Sequence, residues 1–254
     1  APCQAEGDEE GGGGGDEEED RGVMKYMLTR NVSVAVCIYA LLRLAAVALD
    51  DAIPLFMSTP RVDGGLGMRS QQIGGALLSQ GAFLILHVLI LFPMIKARMG
   101  TLSFFRFAGF LVPLACVYLP FLSSLPQSWE GGPGMWLPIL AFFLLKSFAF
   151  GGAFTAVTIL INNSAPPAVI GAVHGVSQAA VALTSAVAPA LAGSVFSWSL
   201  QNGLGFPLDH HFAFFLFAAT SLGMMGLSYV LSPSVQYRFA APPAPAPAVA
   251  ALGG

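Results

Sequence analysis

Residues 135–161, MWLPILAFFLLKSFAFGGAFTAVTILI, hold a single charged side chain, Lys146, in 27 positions. As a helix rising about 1.5 Å per residue, the stretch is about 40 Å long, enough to cross the ~30 Å hydrocarbon layer of a bilayer. Its apolar residues run continuously instead of alternating, which argues against a strand of a membrane β-barrel. A helix apolar on every side belongs in a core or a membrane.

Five further stretches read the same way, at 31–53, 73–95, 101–123, 171–199 and 208–232. Six such segments leave little chain with which to cover a soluble surface. Composition agrees: 55% of the residues are hydrophobic and only 10% charged, against about 25% charged in an ordinary soluble domain. Nine of the 14 acidic residues lie in the first twenty positions. The net charge of −3 therefore describes a tail, while the body is mildly basic. No basic tract interleaved with aromatics suggests nucleic-acid binding. Cys3, Cys37 and Cys116 form neither a disulfide framework nor a zinc pattern.

The expected organisation has three parts. Residues 1–22, rich in Gly, Glu and Asp, are expected to be a disordered acidic linker. Residues 23–232 form an all-α membrane domain of six transmembrane helices. Residues 233–254, rich in Pro and Ala, form an extended tail. Short connections carry turn signals at Pro60–Gly67, Pro126–Gly134 and Ala165–Gly171. Pro113, Pro138 and Pro189 fall inside spans, where neighbouring helices can satisfy the freed carbonyls.

With the N-terminus in the cytoplasm, the inner side carries Arg21, Lys25, Arg30, Lys96, Arg98, Arg106 and Arg238, and the outer side Arg61 and Arg69. That bias places both termini in the cytoplasm. It does not distinguish a vacuolar from a plasma membrane.

Charges within the bilayer cost at least ~2.5–3.5 kcal/mol each on insertion scales, so those present are candidate functional residues. They are Arg43, Asp50 and Asp51 in the first span, His87 in the second, Lys146 in the fourth and His174 near the inner end of the fifth. Counted from the outer span ends, Arg43 and Lys146 lie about 15 and 16 Å deep, His87 about 21 Å and Asp50 about 4 Å. The two cations thus share a level near the midplane, and the count leaves them without an obvious carboxylate. Three readings stand. The cations line an aqueous cavity with His87 and meet a polar or anionic substrate; they pair with carboxylates on a missing partner half; or they snorkel and bind carbonyls without a role. Asp50, Asp51 and His174 are candidates for a gate or for proton coupling.

Small residues recur on the fifth span. Gly171 and Gly175 form a GxxxG pair, and Ala172, Ala179, Ala186 and Gly193 follow at seven-residue intervals. Such a face lets helices pack closely, or slide. Asp209, His210 and His211 cluster at the mouth of the last span, where solvation and metal binding both fit; no metal site is assigned. The chain has no HExxH, Walker loop or GxSxG, so neither enzyme nor cofactor is expected.

Several motifs resemble the major facilitator superfamily. Asn162-Asn163-Ser164-Ala165-Pro166, followed by Gly171-Ala172-Val173-His174-Gly175-Val176-Ser177 and Ala188-Pro189-Ala190-Leu191-Ala192-Gly193, is similar to the loop and eleventh helix of those transporters. Pro54-Leu55-Phe56 to Ser58-Thr59-Pro60, with Gly64-Gly65-Leu66-Gly67, resembles the exit from their seventh helix. Phe92-Pro93 with Lys96, Arg98, Gly100 and Arg106 resembles their cytoplasmic loop between helices eight and nine. Ile170 and His174 depart from the pattern. The look is nearest to the drug:proton antiporter and zinc-induced-facilitator-like branch.

The resemblance implies a second, C-terminal six-helix half, a fragment or truncated product lacking its N-terminal partner half. It implies a bilayer-embedded antiporter moving a small organic solute, with protons, by alternating access. In that fold the first, second, fourth and fifth helices of a half face the cavity or the other half, and the third and sixth face lipid. A self-contained six-helix channel or scaffold, assembling through small-residue faces, is the alternative.

Overall fold

A computed structural model describes residues 28–129 and 132–237. The acidic segment 1–22 and most of the Pro/Ala-rich tail lie outside the described residues, with Arg21, Lys25 and Arg238. Among the described residues there are helices and turns and no strand.

Six helical segments follow one another: α1 Arg30–Ser58, α2 Ser70–Lys96, α3 Thr101–Tyr118, α4 Pro133–Ser164, α5 Ile170–Gln201 and α6 Phe212–Ser228. The first five are long and apolar enough to cross a membrane, α3 being prolonged by a 3-10 turn over Pro120–Ser124. The sixth is shorter than the expected span 208–232: at 17 residues it measures about 26 Å. Residues 202–211, including Pro207 and the Asp209–His211 cluster, form a folded loop instead of its first turns.

The expected internal prolines all lie within helices, Pro113 in α3, Pro138 in α4 and Pro189 in α5. Pro54 is a fourth, inside α1. A proline lacks an amide hydrogen and cannot bond the carbonyl four residues back. Two of the four carbonyls so released belong to Asp50 in α1 and Ser185 in α5, both at the polar centre described below.

Four helices make a wall in the order α2, α4, α1, α5, each packed on the next. Behind it, α3 packs on α4 and α6, and α6 packs on α1. The core between these layers is aromatic and dry: Phe56, Phe104, Phe105, Phe142, Phe143 and Phe214 are fully buried. Close approach is made possible by glycine. A Cβ on Gly152 of α4 would stand 3.0 Å from the Phe104 ring and 3.2 Å from Ala108 Cβ, both on α3. The wall's outer members are the least covered. Only 17% of the most apolar window of α2 and 22% of that of α5 is buried, against 44% for α1 and 56% for α3 and α4.

Candidate functional site

The wall carries a cavity of about 300 Å³ between α1, α2 and α4. Arg43, Asp50 and Lys146 all line it, as do Gln80, Ser147 and Thr155, among apolar neighbours such as Leu84, Phe150 and Phe154. Arg43 and Lys146, expected at similar depth, thus both line one cavity.

The expectation that the central cations lack a carboxylate is corrected. Lys146 Nζ donates to Asp50 Oδ1 at 2.5 Å. The lysine side chain is 5% exposed, the aspartate 49%. The depth count failed because it ended the first helix at residue 53. Instead α1 passes through Pro54 to Ser58, which puts Asp50 about 12 Å from its end; the long lysine side chain reaches the rest. Gln80 Nε2 on α2 also donates to Asp50 Oδ1, at 3.4 Å, and Ser147 of α4 donates to the Gln80 carbonyl at 3.3 Å. Arg43 has a different partner: its Nε donates to Ser185 Oγ on α5 at 3.0 Å. Four helices thus meet through polar side chains on an otherwise apolar wall, the Arg43–Ser185 contact lying about 10 Å along α1 from the Asp50 cluster.

His87 does not line this cavity. It is buried one layer behind the wall, its ring 5.0 Å from that of Phe148 and 6.4 Å from that of Phe92. Its Cδ2 lies 3.1 Å from where a Cβ on Gly151 would stand, so the glycine makes its seat. A π turn over His87–Leu91 begins at this residue and widens α2 there. Neither ring nitrogen has a partner among the described residues. Asp51 also stands off the cavity, with Oδ2 buried and unpartnered among the described residues. His174 lies near the start of α5, its Nε2 2.5 Å from Asn162 Oδ1. The structure therefore separates Asp50 from Asp51 and His174.

The connection after α2 is a packed joint. Arg106 donates to the Ser228 carbonyl at 3.1 Å and covers the Tyr229 ring at 4.5 Å, tying α3 to the end of α6. A Cβ on Gly100 would come within 2.7 Å of Gln236 Oε1. Lys96 and Arg98 are exposed, Lys96 lying 5.9 Å from the centre of the Phe92 ring.

The small face of α5 has no partner within the described residues. Gly171, Gly175, Ala179 and Ala186 are exposed, and a Cβ on Gly171, Gly175 or Gly193 would meet nothing within 4 Å. The buried stripe of α5 is Val173, Ser177, Ala188, Ala192 and Phe196 instead.

At the opposite end from Arg106, Asp209, His210 and His211 close the mouth of the bundle. His211 donates its backbone N–H to Asp209 Oδ1 at 3.1 Å, and its Nδ1 lies 2.7 Å from the same oxygen. Burial pushes the Asp209 carboxyl up, but these bonds and the charge of both histidines outweigh it and hold it below its usual range. Burial, reinforced by His211, keeps the His210 imidazole below its usual range despite Asp209.

No family model matches the chain, and no solved structure matches it significantly. Curated proteins do match. Over 186 residues, 69% of this chain, it is 30% identical to a protein of Aspergillus fumigatus named major facilitator superfamily multidrug transporter mfsB, of which it covers 30%. It is 26% identical over 183 residues to Protein ZINC INDUCED FACILITATOR-LIKE 1 of Arabidopsis thaliana, and 28% identical over 184 residues to Protein ZINC INDUCED FACILITATOR 1 of the same plant. Those two matches each cover 72% of this chain and 37% of the relative. The chain thus spans about a third of the length of these relatives. Matched to transporters over some seven-tenths of its length, and built of apolar helices of membrane length around a polar cavity, this integral multi-pass membrane protein belongs to the major facilitator superfamily.

Proposed function

We propose that the chain is the C-terminal half of a proton-coupled secondary transporter for a small organic solute with an anionic group. The relatives' names include a multidrug transporter, which fits a cavity with mostly apolar walls and a few fixed charges. The observation that carries the reading is the Lys146–Asp50 pair facing the cavity beside Arg43. A nearly buried ammonium needs a counter-ion. Asp50 serves while the site is empty. When Asp50 takes a proton, the salt bridge opens and Lys146 becomes available to a substrate carboxylate or phosphate. Arg43, held by Ser185, supplies a second cation at the same cavity. Substrate and proton are then linked through one lysine.

Alternating access would rock this wall against an N-terminal six-helix half, with both termini cytoplasmic and the site near the midplane. The uncovered faces of α2 and α5 suit that contact, and the small residues Gly171, Gly175, Ala179, Ala186 and Gly193 would let the halves slide. Asp51, His174 and the Lys96–Arg106 joint are proposed to act in gating, and His87 in holding α2 to α4 behind the site.

The test is uptake by the full-length protein in proteoliposomes under an imposed pH gradient, with a panel of organic anions and cations. Proton-driven transport of an anion, lost in Lys146→Ala and uncoupled from the gradient in Asp50→Asn, is expected. Proton-driven transport that is unchanged in both variants contradicts the assignment.

A further inference from the structure

Three loops, 59–69, 119–129 and 202–211, meet at the end of the bundle away from Arg106, and His210 sits among them. Its ring fills the space a side chain at Gly64 would need, so it packs directly on the first loop. Its Nε2 lies 3.1 Å from Ser123 Oγ in the second. The Ser123 hydroxyl donates its hydrogen to the Pro120 carbonyl at 2.8 Å. A hydroxyl has one hydrogen to give, so Ser123 accepts from His210 and Nε2 bears the imidazole hydrogen. In the neutral ring Nδ1 is then a bare lone pair, and it faces Asp209 Oδ2 at 3.6 Å.

His211 turns its Nδ1 toward the same carboxylate. The residue is 7% exposed. Its Nε2 is buried without a partner among the described residues. The rings of Phe121, Phe206 and Phe215 surround it, with centroids 5.0, 5.4 and 5.8 Å away. Its Nδ1 lies 2.7 Å from Asp209 Oδ1, and a carboxylate oxygen can only accept, so in the empty site the imidazole hydrogen sits on Nδ1. One ligand atom from each of the three residues lies within 4.8 Å of the others. A cation among them takes the place of that hydrogen, which the ring then carries on Nε2.

We propose that Asp209, His210 and His211 form a binding site for one divalent transition-metal ion of the zinc class, which staples the three loops together. Imidazole nitrogen with one carboxylate suits Zn²⁺ and its neighbours, whereas Mg²⁺ and Ca²⁺ prefer all-oxygen sets. Shortening the widest of these separations from up to 4.8 Å by about 1.5 Å reaches the ~3.3 Å spacing of a tetrahedral zinc site. With the ion bound both rings carry hydrogen on Nε2, which for His211 means that the hydrogen leaves Nδ1. Ser123 acts as a positioning residue, since a ligating histidine commonly gives its other N–H to a fixed acceptor. A fourth coordination position is left for water or solute. Beside the cluster lies a pocket of about 410 Å³, lined by Asp209 and His210 with Asp63, Ser199 and Asn202.

The test uses the full-length protein in nanodiscs. Diethyl pyrocarbonate modifies accessible imidazoles, and mass spectrometry maps the modified positions. Added Zn²⁺ is expected to protect His210 at a stoichiometry of one, while Mg²⁺ does not and His174 stays labelled. Calorimetric Zn²⁺ affinity is expected to fall at least tenfold in His210→Gln and in His211→Gln, and Co²⁺ to give tetrahedral ligand-field absorption. His210 labelling unchanged by Zn²⁺ in the unaltered protein would overturn the site and show that protons alone occupy the two rings. That readout needs no variant to fold. Equal Zn²⁺ affinity in the unaltered protein and both variants would overturn it as well.

Discussion

Lys146 and Asp50 are unequal partners, the lysine nearly enclosed and the aspartate half open to the cavity. Removing the carboxylate leaves a buried ammonium without its charge-assisted bond, whereas removing both charges leaves no orphan. Asp50→Asn is therefore expected to lower unfolding stability by about 1–2 kcal/mol, the half-exposed side keeping the loss modest. Lys146→Met added to Asp50→Asn should recover most of it. Thermal melts of the three variants in detergent check the cycle, and additive losses would show that the pair is not coupled. Gly64 offers a second check, because it combines a φ of 87° with contact against the His210 ring. Gly64→Ala is expected to cost at least about 1 kcal/mol by the same melts.

At this scale the sequence showed which residues carry charge in the membrane, and their identity alone made Arg43 and Lys146 stand out. It hid the pairing. That depended on a helix continuing through Pro54, which a proline usually argues against. Gln80 and Ser185 were legible only as polar residues within apolar spans, and nothing in their spacing pointed to Asp50 or Arg43 across a helix interface.

The helices themselves were readable because hydrocarbon thickness fixes their length, and five of the six expected spans appear with similar bounds. The last is shorter, since apolar residues near 202–211 belong to a loop whose polar cluster stitches to its neighbours. What the one-dimensional pattern lacks is which face of an all-apolar helix is covered. On α5 the glycines marked a close contact by type, yet the covered stripe runs through Val173, Ser177 and Ala188 instead. On α4 the glycines do serve packing. Gly152→Leu is expected to wedge α3 from α4 and lower the melting midpoint, with a cost of about 1–3 kcal/mol for overpacking. Gly175→Leu, facing open space, should leave the melting of this half near that of the parent while impairing transport.

Across the molecule, two layers place every polar side chain of the cavity on the wall formed by α2, α4, α1 and α5, with α3 and α6 behind. The wall is made of the first, second, fourth and fifth helices; the first, second and fourth line the cavity, and the fifth reaches it through Ser185 on Arg43. This arrangement gives a physical reason for the uneven burial of α2 and α5: each is supported mainly on one side. The pairing of a fixed cation with a titratable partner on such a wall is what links solute movement to the proton in the proposed mechanism.

The measurement that bears most directly on this account is water access to the cavity. Single cysteines in place of Ala46 and Thr155, which line it, would be introduced in the full-length protein, with Phe110→Cys on the exposed surface of α3 as a lipid-facing control. Reaction with a membrane-impermeant, water-soluble thiol reagent should be rapid at 46 and 155, slowed by a transported solute, and negligible at 110. Labelling at 46 and 155 by a lipid-dissolved probe alone would contradict an aqueous, substrate-binding wall.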